Sequence, residues 1–525
     1  MKRFQTLTLL PLMLCCLLSA QVLAHDMQRV TVAQGDLQGK KEDELTVFKG
    51  VPFAKPPVGE LRWKAPQPPE KWTGVRNALE YAPSPIQGGE PPAGKSEDSL
   101  YLNIWTPAKT PADKLPVLVW IYGGGFSFGT TADALTDGTH LANKGVVLVS
   151  IAYRVGQLGF LAHPALSAES PNKVSGNYGL LDQIAGLQWI QDNIQAFGGD
   201  PNRVTIFGES AGGISVSMLA ASPLAEGLFH GAISQSGGSF GPSRKINYPG
   251  ENMITLAQAE AEGIDYVKTF GASSIDELRE LDAEAFIPKG WSMPGGWPIF
   301  DGHVIPDDQH KLYQQGRYNK VPVLVGYNSD EALMFVRDSD PEPFTEGLKT
   351  RFGKFAEPLM AAYGISDTEV NRQSRNLIRD AAFGWHTWSW ARLQANDSAA
   401  PAYLYYFDQA PSFPEGSPRH DHGANHGQEI AYVFQRVDPN REEAMASDAR
   451  ISEAMASYWT NFAKHGNPNG KGLPKWPEFK PGSSTVMYFQ QTPKLGPVPD
   501  REALLVLDEY FEWRRTAEGE AWANQ

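Results

Sequence analysis

Cysteine is nearly absent from the sequence: the chain of 525 residues has two, Cys15 and Cys16, and both precede His25. From His25 onward nothing remains to form a disulfide or a thiolate zinc site. Positive charge is also scarce. With 46 Lys and Arg against 60 Asp and Glu the formal net charge is -14, which argues against nucleic acid or an anionic membrane as partner, since both call for basic patches. Beyond Leu18 no apolar run approaches the roughly 20 residues of a membrane-spanning helix. No internal repeat, low-complexity tract, charge block or Ser/Gly linker divides the chain. Residues 25–525 therefore read as one domain, although a prior of about 150 residues per domain would suggest three.

The N-terminus explains the compartment. Lys2 and Arg3 precede an apolar run from Leu7 to Leu18, and small residues lead to Val22-Leu23-Ala24. Residues 1–24 read as a secretory signal peptide cut near Ala24. Neither cysteine follows the small residues of a lipoprotein cleavage site, so the expected product is secreted or periplasmic.

The stretch around which the rest is arranged is Val204 to Gly213, where a β-rich run meets Gly208-Glu209-Ser210-Ala211-Gly212. A strand ending in Gly-Xaa-Ser-Xaa-Gly and passing directly into a helix forces the serine into a strained turn that lifts its hydroxyl above the sheet. The same pattern occurs around Ser127 and Ser239. Only Ser210 is followed at once by a helical run, Ile214 to Ala221, so Ser127 and Ser239 read as glycine-rich loops.

Strand-like and helix-like segments alternate through much of the chain, which means a mostly parallel sheet flanked by helices, an α/β fold. Expected strands are Leu115 to Tyr122, Val146 to Tyr153, Arg203 to Phe207, Gly231 to Ser234, Val321 to Gly326, Tyr403 to Phe407 and a short final one near Leu504 to Leu507. Expected helices run from Leu180 to Phe197, Asp380 to Gln394 and Ile451 to His465. Two early runs, Arg29 to Ala33 and Glu44 to Phe48, read as a small antiparallel sheet at one edge. Gly241 to Pro298 gives no clear pattern.

A serine hydroxyl needs a neutral imidazole to take its proton, and the imidazole needs a carboxylate to fix its tautomer. In α/β-hydrolases these follow in the order Ser, acid, His. An acid is supplied just past Val321 to Gly326, where spacing alone leaves Asp330 and Glu331 equal. The histidines beyond are His386, His420, His422, His426 and His465; His386 and His465 lie in helical runs, whereas His426 sits in a turn before Ile430 to Phe434. An oxyanion hole needs backbone N–H groups free of side chains, which Gly123-Gly124-Gly125 and the N–H of Ala211 provide. No metal or organic cofactor is required. Trp291, Met293 and Trp297, with Trp385, Trp388 and Trp390, are candidates for an aromatic substrate pocket or for plain core packing.

These stretches together resemble the type B carboxylesterases, the family that includes cholinesterases and bacterial esterases. The likeness runs through Phe48 to Ala54, Glu97 to Asn103, Trp120 to Phe126, Gly176 to Gly213, Gly326 to Glu331, His426-Gly427 and Trp459 to Pro468. It implies the α/β-hydrolase fold with helical insertions, and a catalytic set of Ser210, Glu331 rather than Asp330, and His426. It further implies Gly124, Gly125 and Ala211 as oxyanion donors, with Ser236 and Glu209 in support. Three features depart from the family pattern. Ala332 follows the acid where glycine is usual, and Ser84 and Ser99 occupy the positions of the family's first disulfide. No aromatic residue lies between those serines, where cholinesterases bind the choline cation, which argues against a cholinesterase. The expected protein is a serine carboxylesterase acting on a small-molecule ester, as a monomer or small homo-oligomer. Amide, thioester or lactone substrates are the alternative, and a non-catalytic cholinesterase-like binding module is a more distant one.

Overall fold

The structure is a computed structural model that describes residues 27–287, 296–336, 340–397, 400–411, 413–441 and 444–525. The signal-peptide reading, Trp291 and Met293 lie outside these residues. Among them an 11-stranded sheet forms the centre. Seven of its strands run parallel in the order Val147–Ile151, Leu115–Ile121, Gly199–Glu209, Gly231–Gln235, Val323–Asn328, Ala402–Phe407 and Thr485–Phe489. One flank adds Tyr101–Thr106, Leu45–Pro52 and Lys40–Glu42, and the other adds Lys494–Pro497, all antiparallel to their neighbours.

Alternation along the strands sends side chains to both faces of this sheet. Val117, Val119 and Ile121 join the core that includes Leu187 and Ile190 of the helix Tyr178–Asn193. Leu118 and Trp120, one residue out of phase, join the core that contains Trp459 and Phe462 of the helix Asp448–His465. Both faces are covered, so the central strands carry near-continuous apolar runs. Each fully buried Val, Leu or Ile contributes about 1.5 to 3 kcal/mol.

Two expectations are corrected. The segment Leu45–Pro52 belongs to the main sheet, where it pairs with Lys40–Glu42 and Tyr101–Thr106. The small N-terminal sheet instead joins Arg29–Val32 to Gly35–Gln38 antiparallel, and Val75–Asn77 to Gly35–Gln38 parallel, so it is mixed. The supposed last strand near Leu504 is part of the helix Arg501–Arg514. Its buried residues Leu504, Leu507, Tyr510, Phe511 and Arg514 recur at three and four, a helical period that a four-residue window is too short to reveal. Elsewhere the helix expected from Leu180 is seen as Tyr178–Asn193 with a tighter turn through Phe197, stopped by Gly198 in the left-handed region. Ser84 and Ser99 are both buried, and the Ser84 hydroxyl donates to Thr130 Oγ1 at 2.7 Å.

The described part of the patternless middle includes the helices Leu256–Thr269 and Ile275–Arg279, the first opened by a reciprocal cap between Thr255 and Gln258. Among the described residues no helix is long and apolar enough to cross a membrane.

Candidate active site

Ser210 stands between the strand Gly199–Glu209 and the helix Ala211–Ala221 with φ 55° and ψ -125°. A serine gains nothing by itself from that left-handed conformation, which costs of the order of 1 to 3 kcal/mol and persists only where the surroundings enforce it. The enforcement is close packing: a Cβ on Gly208 would lie 2.5 Å from the carbonyl carbon of Gly212. All eleven residues of the following helix are buried. As its first residue, Ala211 carries an N–H with no intrahelical acceptor.

Loops at the ends of neighbouring strands bring the other groups to this serine. His426 Nε2 lies 2.8 Å from Ser210 Oγ, and its Nδ1 lies 2.6 Å from Glu331 Oε2. Glu331, wholly buried, also accepts from Ser236 Oγ and from the Asn328 N–H, both at 2.6 Å. In the tautomer that donates from Nδ1 to Glu331, Nε2 is left to accept from the serine. Ser236 is itself held at φ 48°, one residue past the strand Gly231–Gln235. Phe383, from the wide turn Asp380–Gly384, stacks on the His426 ring at 4.8 Å.

The two adjacent carboxylates that spacing left equal point to different partners. Asp330 pairs with Arg375 at 3.0 Å and accepts the Gly423 N–H at 3.0 Å. Its own N–H donates to Ala424 O at 2.8 Å, and Ser329 Oγ accepts from the Ala424 N–H at 2.8 Å. Asp330 thus pins the segment that carries His426 and makes no contact with the imidazole. His386 is excluded by its partners: Nδ1 accepts from the Phe240 N–H at 3.0 Å, Nε2 faces Ala381 O at 3.3 Å, and burial lowers the ring to about 4. Ser127 Oγ donates to Gly125 O at 3.2 Å rather than to a histidine.

Glu209 adds a second carboxylate, with Oε1 3.2 Å from His426 Nε2. Burial pushes its carboxyl up, against the pull of the imidazole. Burial also raises Glu429, which accepts from Gln235 Nε2 at 3.2 Å and from Asn328 Nδ2. For His426 burial works downward, but Glu209, Glu331 and Glu429 outweigh it and raise the imidazole above its ordinary value. Glu429, Asn328 and Phe383 were missed in the sequence. Glu429 had one signal, its place three residues after His426 at the start of the helix Gln428–Val433; Phe383 had none.

Gly124 and Gly125, at φ 92° and 58°, line the cavity in front of Ser210 together with Glu209, His426 and Gly427. A Cβ on Gly123 would lie 3.1 Å from the Ser210 Cβ, so this loop packs directly on the serine. The cavity measures about 1460 Å³. Trp297 lines it and meets Phe126 edge-on at 4.9 Å. Trp385 and Trp388 do not line it, which corrects the pocket expectation: Trp385 stacks on Phe511 at 3.9 Å and donates to Asp508, while Trp388 lies under Arg392. Trp390 is likewise core. All three lie in the helix Trp385–Asp397 and are buried by its neighbours. Among the described residues no group of three or more His, Cys, Asp or Glu could hold a metal ion.

Residues 26–503 match the model of the carboxylesterase family. A fumonisin B1 esterase from Sphingopyxis macrogoltabida is 40% identical over 478 residues, covering 86% of this chain and 84% of the relative. The para-nitrobenzyl esterase of Bacillus subtilis (strain 168) is 34% identical over 483 residues, covering 86% of this chain and 92% of the relative. A solved PNB esterase superposes with a TM-score of 0.78 at 33% identity, covering 91% of this chain and 100% of that one. The chain thus belongs to the carboxylesterase family, with the α/β-hydrolase fold, and is a carboxylic ester hydrolase.

Proposed function

We propose that the protein is an exported serine carboxylesterase working through an acyl-Ser210 intermediate. The observation that carries this reading is the continuous chain Ser210 Oγ, His426 Nε2, His426 Nδ1, Glu331 Oε2, with steps of 2.8 and 2.6 Å. His426 takes the Ser210 proton as the oxygen attacks the ester carbonyl, then gives it to the departing alcohol. Water attacks the acyl-enzyme by the same route in reverse roles. The N–H groups of Gly124, Gly125 and Ala211 receive the oxyanion, each worth about 2.7 to 4 kcal/mol of barrier. Glu331, held by Ser236 and Asn328, keeps the imidazole in the reacting tautomer. Glu209 stabilises the imidazolium from the other side.

Export is supported by the charged, apolar and small-residue sequence of residues 1–24. Bulky esters are the preferred class, since a cavity of about 1460 Å³ exceeds the roughly 300 to 1,000 Å³ of ordinary ligand sites. The names of the fumonisin B1 and para-nitrobenzyl esterases agree with that preference. Reaction with a fluorophosphonate and mapping of the adduct tests the mechanism. The expected adduct is on Ser210, with kcat reduced by about a millionfold in Ser210→Ala. Labelling of Ser127 or Ser239, or undiminished turnover in the variant, overturns it.

A further inference from the structure

One wall of the cavity is a turn, Asn247 to Gly250, continued by Asn252 and Ile254. It closes on itself through Tyr248 N–H to Glu251 O at 3.3 Å and Glu251 N–H to Tyr248 O at 2.8 Å. The Glu251 side chain turns away into the interior and has no exposed surface. There it accepts from Arg244 Nη1 at 3.1 Å, Arg351 Nε at 3.1 Å, Arg514 Nη1 at 2.5 Å and the Tyr510 hydroxyl at 2.8 Å. Burial would raise this carboxyl, but Arg351, Arg244 and Arg514 hold it down at about 2.

These arginines come from distant parts of the chain. Arg351 belongs to the helix Pro341–Phe352 and Arg514 to the helix Arg501–Arg514. Both also hold backbone near the wall: Arg351 Nη2 donates to Pro249 O at 2.7 Å, and Arg514 Nη2 to Ser243 O at 2.9 Å. The guanidinium groups of Arg244 and Arg351 lie 4.4 and 5.3 Å from the centre of the Tyr248 ring. On its other side the turn has no slack, since a Cβ on Gly250 would lie 2.9 Å from Ala382 Cα. Ala382 precedes Phe383, the ring stacked on His426.

We propose that Tyr248 is a specificity-determining residue, the fixed stop against which the bulky apolar group of a large ester lies, and that Glu251 is the positioning residue that sets it. The inference rests on the ester-hydrolase reading of the cavity and names its substrate class more narrowly. A small acyl group is oriented by Ser210 and the oxyanion donors alone. A large one in a wide cavity keeps its rotational freedom unless a rigid wall takes it up, and that binding energy is then available to orient the carbonyl.

The test compares 4-nitrophenyl acetate with 4-nitrophenyl decanoate in wild type, Tyr248→Ala, Tyr248→Phe and Glu251→Gln, with active sites counted by fluorophosphonate titration. Tyr248→Ala and Glu251→Gln are expected to lower the decanoate-to-acetate ratio of kcat/KM by about tenfold, chiefly through KM. Tyr248→Phe, which keeps the ring, is expected to stay near the wild-type ratio. A purely structural role would reduce the number of active sites and leave the ratio unchanged, and that result overturns the inference. Should Glu251→Gln not fold, the contrast between Tyr248→Ala and Tyr248→Phe decides. A wild type that hydrolyses neither ester overturns the ester-hydrolase reading as well, whereas turnover with an unchanged ratio overturns this inference alone.

Discussion

The sheet edge that carries the proposed reacting groups and the wall that faces it are assembled differently. Ser210 and Ser236 each follow directly on a parallel strand, and Glu331 comes three residues after another. Their positions are fixed by a ladder already held on both sides. The wall around Tyr248 has no such ladder and depends on Glu251 and arginines from two remote helices. Groups that must meet within a hydrogen bond are placed by strand ends, whereas the shape of the cavity is placed by contacts between distant segments.

The sharpest test of this contrast is inside the edge itself. Glu331→Gln should lower kcat by up to about 10⁴ with little change in KM, because it removes the group that orients and charges the imidazole. Asp330→Asn, one residue away, should instead lower the denaturation midpoint, since it leaves the buried Arg375 without its nearest carboxylate. Steady-state kinetics beside a urea titration separates them, and a larger kcat loss in Asp330→Asn would reverse their roles.

Next in size is a pair of tryptophans on the two sides of the divide between core and cavity. Trp385→Ala should cost about 3 to 5 kcal/mol of stability, the usual loss for a buried aromatic, measured by denaturant unfolding. Trp297→Ala should act mainly on the KM of bulky esters, because Trp297 lines the cavity. Equal stability losses with unchanged KM in both would erase the distinction.

The smallest expected effect is in the pH profile. In the proposed mechanism His426 must be neutral to take the serine proton, and the surrounding carboxylates favour its protonated form. Activity should therefore fall as pH drops, with a midpoint above the roughly 6.5 of a free imidazole. Glu209→Gln removes one of those charges and should move the midpoint of kcat/KM downward. A midpoint that stays put or moves upward would show that Glu209 carries no charge felt by His426.

Much of the edge was legible because its signals are local. The elbow is a strand, a serine between glycines and a helix in contiguous residues, and the three glycines at Gly123 follow a strand in the same way. The difference between Asp330 and Glu331 was not local: it lies in their partners, Arg375 and Ser236, which sequence distance hides, so only the family resemblance pointed to Glu331. The same limit left Trp385 and Trp388 open between pocket and core, since a tryptophan in a helix reads alike whether Phe511 or a substrate covers it. It also hid Glu251, whose three arginines are spread from Arg244 to Arg514. Leu504 to Leu507 failed for another reason, a window too short to tell one period from the other.

The two outer strands of the main sheet also bear on how copies of this chain can meet. One edge is Lys40–Glu42, three charged residues in a row, and the other is Lys494–Pro497, which begins with a lysine and ends with a proline lacking an N–H. Charge and proline at an edge deter a further strand from adding there. Both margins thus disfavour continuing the sheet into a second molecule by edge-to-edge pairing, the contact through which crowded β-proteins aggregate.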